Sequence, residues 1–314
     1  MFRNITRNFK QFINFFNKTS VWCKATLIII IILFCTTIVN RNRKEVEAFT
    51  QSKKFVMKTN NTLYDDFYCS IYDDLFYDDK KYAHQVTNIE RIAKIDKNSN
   101  ILDIGCGTGH FVSHYKEDGK KIEGLDKSEA MIKSARKYYK DCKFKVGDVL
   151  KSNTYDQNTF THALAFFYTL YYIEDKHLFF KNVYDWLKPG GMLVIHLVNR
   201  DKFDPIVNAA DPLVMVSAQK YAPKRITSSA VKFKDFVYKA NFQYEKGNDK
   251  ASFTETFTDD ATQHVRQNEH TLYMEKQAEI LSKAKKIGFI LEGKIEMVEV
   301  QYEYQYLYFL KKPE

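Results

Sequence analysis

No glycine occurs before Gly105 in this chain of 314 residues, so the first third contains no glycine-built ligand turn. The five cysteines form no CxxC pair and have no histidine at ligand spacing, which excludes a disulfide framework and a zinc site. Unpaired thiols suit a reducing compartment. The main body also lacks a basic excess. Ten of the 48 Lys/Arg but only two of the 39 Asp/Glu fall in residues 1–54, and the rest of the chain is nearly neutral. A surface that neutralises a nucleic-acid backbone carries its own positive charge. Nucleic acid is therefore disfavoured as a partner, despite an overall charge of +9. No internal repeat is apparent.

What is present begins with a membrane signature. Ala25–Val39 reads ATLIIIIILFCTTIV without a charge. Residues 21–40 would make about 30 Å of helix, the thickness of a bilayer's hydrocarbon core. Lys24 lies near one end, where its stem can snorkel, and Trp22 sits at the interface. Arg41-Asn42-Arg43-Lys44 follows where a signal-peptide cleavage site needs small residues, and Ile28–Ile32 leaves no polar face for a core helix. One N-terminal transmembrane helix over 21–40 is therefore expected, making the chain a single-pass membrane protein. Ahead of it, residues 1–20 form a basic segment with Phe2, Ile5, Phe9, Phe12, Ile13 and Phe16 at helical spacing. This reads as a helix in the headgroup layer or as a disordered tail. Lys/Arg are balanced on the two sides of the span, so they do not orient it. The free thiols favour the cytosolic side for the body of the chain.

Residues 41–63 are polar and read as a stalk. Tyr64, Tyr68, Tyr72, Phe76, Tyr77 and Tyr82 then recur among acidic doublets, predicting one or two helices with an aromatic face. From Asn100 the rhythm changes. Short apolar strands at Asn100–Ile104, Lys121–Leu125, Cys142–Val146, Phe160–Phe167 and Met192–Val198 alternate with helical stretches. That alternation predicts an α/β fold with a doubly wound parallel sheet. Residues 200–273 break the pattern. Val231–Tyr244, Ala251–Thr258 and His264–Met274 alternate roughly, as antiparallel strands with one wet face do. The helix–strand style resumes at Glu275–Lys286, followed by strands at Phe289–Val300 and Tyr302–Leu310. Residues 200–273 are therefore an antiparallel β insertion after the fifth strand, within a core of 64–199 and 274–314.

The chemistry concentrates at the strand ends. Ile101–Ile104 runs into Gly105-Cys106-Gly107-Thr108-Gly109 and then a helix, a turn that lets a ligand touch the main chain and face helix-end N–H groups. The spacing is GxGxG, with Asp103 two residues before the first glycine. That differs from the GxGxxG of nicotinamide enzymes. Asp126 ends the second strand, placed to accept both hydroxyls of a ribose. Asp148 follows the third strand, where an adenine amino group could donate to it. Phe166, Phe167 and Tyr168 end the fourth. In an open parallel sheet these ends converge on one crevice.

With DIGCGTG, GLDKS, GDV and LKPGG in this order and spacing, the chain resembles the class I S-adenosylmethionine-dependent methyltransferases, of the small-molecule type 11/25 kind. The resemblance covers about residues 64–314 outside the insertion. It implies a Rossmann-like seven-stranded sheet ending in an antiparallel pair, and S-adenosyl-L-methionine as cofactor. It implies Gly105, Cys106, Gly107 and Gly109 against the methionine part, with Asp103 near its amino group. It implies Asp126 and Lys127 at the ribose, Asp148, Val149, Met131 and Phe166 around the adenosyl group, and Tyr72 and Tyr82 over the cofactor. It implies that 200–273 is a strand-built lid that selects substrate. One departure stands out: Phe160-Thr161 replaces the family's Phe-Asp.

Methyl transfer releases a neutral group, so positioning dominates and a base is needed only for a protonated acceptor. Tyr168, Tyr171, Tyr172 and His196 are the candidates, Tyr171 and His196 first among them. His196 in LVIHLVN also fits a core position, and Cys106 fits a small filler in the turn. The expected acceptor is a small molecule, sugar or lipid headgroup, or another membrane-associated compound, with no metal required. A catalytically inactive binding or assembly module and a methyltransferase acting on a protein remain open. The absence of an Asn-Pro-Pro-Tyr sequence after the fourth strand disfavours base methylation.

Overall fold

Apolar strand runs, capped helices and alternating insert strands sort this chain into two sheets. The computed structural model describes residues 20–22, 24–26, 29–30, 51–205, 224–245 and 247–314. The chain divides into two units, 1–48 and 49–314. In the first, Val21, Trp22, Lys24–Thr26, Ile29 and Ile30 are helical. The segment 1–20 and the span 21–40 lie largely outside the described residues. Among the described residues, no helix is long and apolar enough to cross a membrane.

The second unit holds a seven-stranded sheet. Its strands are β2 (Asn100–Ile104), β3 (Lys121–Asp126), β4 (Lys143–Val146), β5 (Phe160–Ala165), β6 (Leu187–Val198), β11 (Ile290–Met297) and β12 (Tyr302–Lys311). Their order is β11-β12-β6-β5-β2-β3-β4. β2 to β6 are parallel, and β12 runs antiparallel to both β6 and β11. This is a Rossmann-like α/β fold, and the strand order reverses between β2 and β5, next to the glycine loop. Parallel strands buried on both faces need continuous apolar runs, and Ile101, Leu102, Leu164, Val194 and Ile195 supply them, each within 1% of full burial.

Helices α1 (Asp66–Phe76), α2 (Asp79–Ala93), α3 (His110–Glu117), α4 (Glu129–Tyr138), α5 (Lys176–Trp186) and α6 (Gln277–Ile287) join these strands or precede them. Four start at polar side chains that satisfy a free helix-end N–H: Asp65 accepts from Tyr68, Asp78 from Lys81, Ser128 from Met131 and Asp175 from Leu178.

A second sheet has the order β1-β10-β9-β8-β7. It contains β7 (Ser228–Lys232), β8 (Phe236–Tyr244), β9 (Lys250–Asp259) and β10 (Val265–Tyr273) from the insertion. The stretch 231–244, which alternates roughly in sequence, is divided between β7 and β8. The fifth strand, β1 (Phe55–Thr59), corrects the reading of 41–63 as a stalk throughout: it pairs in parallel with β10, from Phe55 beside Val265 to Thr59 beside Glu269. As a half-exposed edge strand of five residues, it carries too little apolar pattern to announce itself. Alternating burial along β8 and β9 turns Tyr238, Phe242, Phe253 and Phe257 inward. Lys176, fully buried, bridges the sheets by donating to the carbonyls of Ile173 and Tyr273.

Candidate functional site

The glycine loop is bound to the end of β3. Gly105 and Cys106 N–H both donate to the Leu125 carbonyl, at 2.7 and 3.2 Å. Gly107 N–H then donates to Asp126 Oδ2 at 3.0 Å, and Ser128 N–H to Asp126 Oδ1 at 2.8 Å. A side chain at Gly105 (φ +71°) would put a Cβ 2.5 Å from Thr169 Oγ1, and one at Gly109 (φ +93°) 2.7 Å from a Phe144 ring carbon. The sequence therefore has no alternative to glycine at either position. Burial raises the Asp126 carboxyl above the usual range, against the lowering pull of the Ser128, Gly107 and Lys127 N–H groups. Each of its oxygens has two lone pairs, so both can still accept from a ligand.

Two connected hollows open at the loop. The larger, about 630 Å³, is lined by Gly105, Gly107, Asp126, Lys127, Met131, Asp148 and Val149 on the core side. Tyr64, Tyr72, Phe167, Tyr168 and Tyr172 line the other side, with Thr271 and Tyr273 from β10. Asp148 is held by Leu150 N–H at 3.0 Å and faces Lys127 Nζ at 3.2 Å. The smaller hollow, about 120 Å³, shares Tyr72, Gly105, Gly107 and Phe167 and adds Asp103, Cys106, Phe166, Tyr82, Lys81 and Gln85. Gly109 lines neither and serves the turn itself. α1 is tied over the loop by Thr108 Oγ1, which donates to Asp73 at 2.6 Å, and Tyr82 donates to the His110 carbonyl at 3.1 Å.

The smaller hollow has unmatched polar groups. Asp103 is 3% exposed and meets no hydrogen-bond donor among the described residues. Burial, with the Asp126 carboxylate nearby, pushes its carboxyl up to about 7. Lys81 is 6% exposed, its ammonium 4.1 Å from the Phe167 ring centre and 4.5 Å from that of Tyr302. Burial draws it down to about 7, with Asp78 pulling the other way. Gln85 Nε2 is buried without a partner among the described residues. An acid, a cation and a free amide donor in one hollow match the ammonium and carboxylate of an amino acid. Asp126 and Asp148, in the adjoining space, match a nucleoside. The donor set thus fits S-adenosylmethionine along its length.

Tyr171 and His196, the first candidates for a base, do not reach either hollow. The Tyr171 ring is fully buried; its hydroxyl accepts from Val198 N–H at 2.8 Å and fastens the turn after β5 to the end of β6. His196 is 1% exposed on β6, with Nδ1 2.7 Å from the Phe167 carbonyl. Burial, with Lys81 nearby, lowers its pKa to about 4, so the ring is neutral. Phe167 adopts φ +52°, a strained conformation for a bulky residue. His196 holds that carbonyl and so aims the Phe167 ring into the site. Thr161, which replaces the family's Asp, keeps a structural role: its hydroxyl accepts from Asn100 N–H at 2.8 Å and donates to the Asn100 carbonyl at 3.1 Å. Sequence reasoning missed Lys81, Gln85 and every residue supplied by the insertion. Among the described residues, no group of three or more His, Cys, Asp or Glu could hold a metal.

A glycine loop at the switch point of a parallel sheet, with acids at the next two strand ends, defines a nucleoside-binding α/β enzyme fold. A family model described as a methyltransferase domain matches residues 95–279. The chain belongs to this methyltransferase domain family. It is 34% identical over 146 residues to carboxy-S-adenosyl-L-methionine synthase of Campylobacter curvus, covering 42% of this chain and 59% of that protein. It is 27% identical over 140 residues to dTDP-3-amino-3,4,6-trideoxy-alpha-D-glucopyranose N,N-dimethyltransferase of Streptomyces venezuelae, covering 42% and 58%. The matches thus span under two thirds of these relatives. Among solved structures, the CcbJ methyltransferase of Streptomyces caelestis superposes with a TM-score of 0.62 at 16% identity, covering 81% of this chain and all of that one, a likeness of fold.

The two titrating groups of the smaller hollow predict a bell-shaped cofactor affinity. Asp103 holds an ammonium only when ionised, so affinity rises with pH through about 7. Lys81 holds a carboxylate only when protonated, so affinity falls as pH rises past about 7. Calorimetric titration with S-adenosylhomocysteine from pH 5.5 to 8.5 should show a maximum near neutrality, with Asp103→Asn removing the acidic limb and Lys81→Met the alkaline one. A flat profile would refute the assignment.

Proposed function

We propose that the chain is an S-adenosylmethionine-dependent methyltransferase acting on an amine of a small acceptor, of the amino-sugar or lipid-headgroup kind. The observation that carries this reading is the wall of the larger hollow. Tyr64, Tyr72, Tyr168, Tyr172 and Tyr273 line it, with Glu174 at the same wall. Aromatic faces attract cations, including a sulfonium and a protonated amine, and a nearby carboxylate adds to that preference. The name of the Streptomyces relative, an amino-sugar N,N-dimethyltransferase, supports the same acceptor class. Asp103, Lys81, Gln85, Asp126 and Asp148 hold the cofactor. Tyr72 and Phe167, which border both hollows, cover the reacting end and exclude water. Their effect is to align the acceptor, which is most of what such a transfer requires.

We further propose that residues 21–40 anchor the chain as a single-pass membrane protein, with residues 41–50 as tether and the catalytic unit on the cytosolic side. The uncharged run of residues 25–39 between basic flanks supports the span, and the free thiols of Cys69, Cys106 and Cys142 support the side.

Incubation of the purified chain with S-adenosylmethionine, phosphoethanolamine and a dTDP-linked 3-amino sugar should give a product heavier by one methylene unit in mass spectrometry. Cofactor binding without transfer to any amine in a small-metabolite extract would end the amine reading. Removing residues 1–44 should move the protein from the membrane pellet to the supernatant. Continued sedimentation with membranes would contradict the anchor.

A further inference from the structure

The insertion brings a buried acid to the reaction cavity through one imidazole. Glu255 on β9 is 0% exposed and His270 on β10 1%. Glu255 Oε2 lies 2.8 Å from His270 Nε2 and accepts from Asn268 Nδ2 at 3.3 Å, while Oε1 accepts from the Tyr238 hydroxyl at 2.9 Å. The orientation of the Asn268 amide is fixed, because its Oδ1 accepts from Arg266 Nε at 2.8 Å. Arg266 is itself clamped by both oxygens of Asp65, each at 2.8 Å. The carboxylate is therefore surrounded by donors, and Nε2 is the imidazole nitrogen that carries a proton toward it. Nδ1 is left as an acceptor. The Tyr172 hydroxyl lies 2.7 Å from it, and Tyr172 lines the larger hollow. Tyr64, Tyr68 and Phe253 rings wall the imidazole from water.

A polar staple between lid and core would bury the same groups, as would a set retained for fold specificity. A staple needs no particular tautomer and no hydroxyl facing the cavity. This array links a buried acid through one imidazole to the hydroxyl of a tyrosine that lines the cavity, in the order acid, imidazole, phenol, cavity.

We propose that Tyr172, His270 and Glu255 form a proton relay that removes the proton lost by the acceptor; this rests on the methyltransferase reading above. When bound, S-adenosylmethionine supplies a methyl carbon to the acceptor's lone pair, and the broken C–S bond leaves its electron pair on a neutral thioether. The proton of the acceptor ammonium passes to Tyr172 Oη, which frees that lone pair, and the proton already on Oη passes to His270 Nδ1. The imidazolium so formed keeps its Nε2 proton toward Glu255, which balances its charge. Tyr172 stays a neutral phenol throughout. Burial, with a smaller contribution from the nearby Glu255 and against the lowering pull of a hydrogen bond from Tyr64, holds it above the usual phenol range, so a free phenolate does not accumulate and the imidazole is the net acceptor. Reversal through the emptied cavity returns the proton to water. Tyr172 is the catalytic residue; His270 and Glu255 act through it. The lid thereby contributes to the chemistry as well as to substrate choice.

The test uses the full chain and its Tyr172→Phe, His270→Gln and Glu255→Gln variants, with phosphoethanolamine and a dTDP-linked 3-amino sugar as acceptor probes. Affinity for S-adenosylhomocysteine should stay within about twofold in all variants. Tyr172→Phe should lower kcat about a hundredfold or more, the usual effect of losing a positioned base, with little change in KM. Imidazole nitrogen NMR at neutral pH should show His270 protonated at Nε2 alone, with a low-field proton that Glu255→Gln removes. A kcat for Tyr172→Phe near the wild-type value overturns the relay, and so does a proton on Nδ1 in the resting protein. If the wild type methylates neither probe, the acceptor reading above falls, and the imidazole resonances alone decide the relay.

Discussion

Two backbone N–H groups, from Gly107 and Ser128, meet the two oxygens of one carboxylate, Asp126. That pair of charge-assisted bonds fixes the glycine loop against the end of β3 and starts α4 in the same place. Desolvation of a carboxylate is costly unless it is hydrogen-bonded, and these donors offset it. The loop in turn places Gly105 and Gly107 where a ligand can lie on bare main chain. Remove the carboxylate and three consequences follow together: the loop keeps only its bonds to the Leu125 carbonyl, the helix start loses an anchor, and the hollow loses an acceptor. Asp103 and Asp148 matter only within the frame that Asp126 holds.

The second sheet completes what the first begins. The hollow at the strand ends is open on the side away from the core, and β10 closes it with Thr271 and Tyr273. Closing it with strands requires buried polar groups, because Arg266, Asn268, Glu255 and His270 all face inward. Such groups contribute little net stability compared with apolar replacements. Their satisfaction in one ordered network makes sense if the network reaches the cavity, which it does through Tyr172.

Much of this was legible in the residues. The five parallel strands are continuous apolar runs between helical stretches, and the strand ends carry Gly105–Gly109, Asp126 and Asp148 at spacings that leave little freedom. The insertion and its antiparallel character showed in the alternation of 251–258 and 264–274. Side-chain direction was less legible. Tyr171 and Tyr172 are adjacent in a run of similar residues, and only the short helical turn there sends one into the core and the other to the cavity. Lys81 and Gln85 are polar positions one helical turn apart, and only the rings of Phe167 and Tyr302 beside the lysine set them apart from other such positions. For Glu255 the signal lies in strand parity: it sits on the same parity of β9 as Ala251, Phe253 and Phe257, and His270 shares the inward parity of β10 with Leu272. A charged residue on the apolar phase of a strand is either an error of register or a buried functional group.

Calorimetric titration of S-adenosylhomocysteine into the wild-type chain and the Asp126→Ala and Asp126→Asn variants tests the central claim most directly. The account predicts tight one-to-one binding by the wild type, a loss of about a hundredfold or more in Asp126→Ala, as expected when paired donors are left unmatched, and a smaller loss in Asp126→Asn, all with a folded circular-dichroism spectrum. Undiminished affinity in a folded Asp126→Ala protein would contradict it.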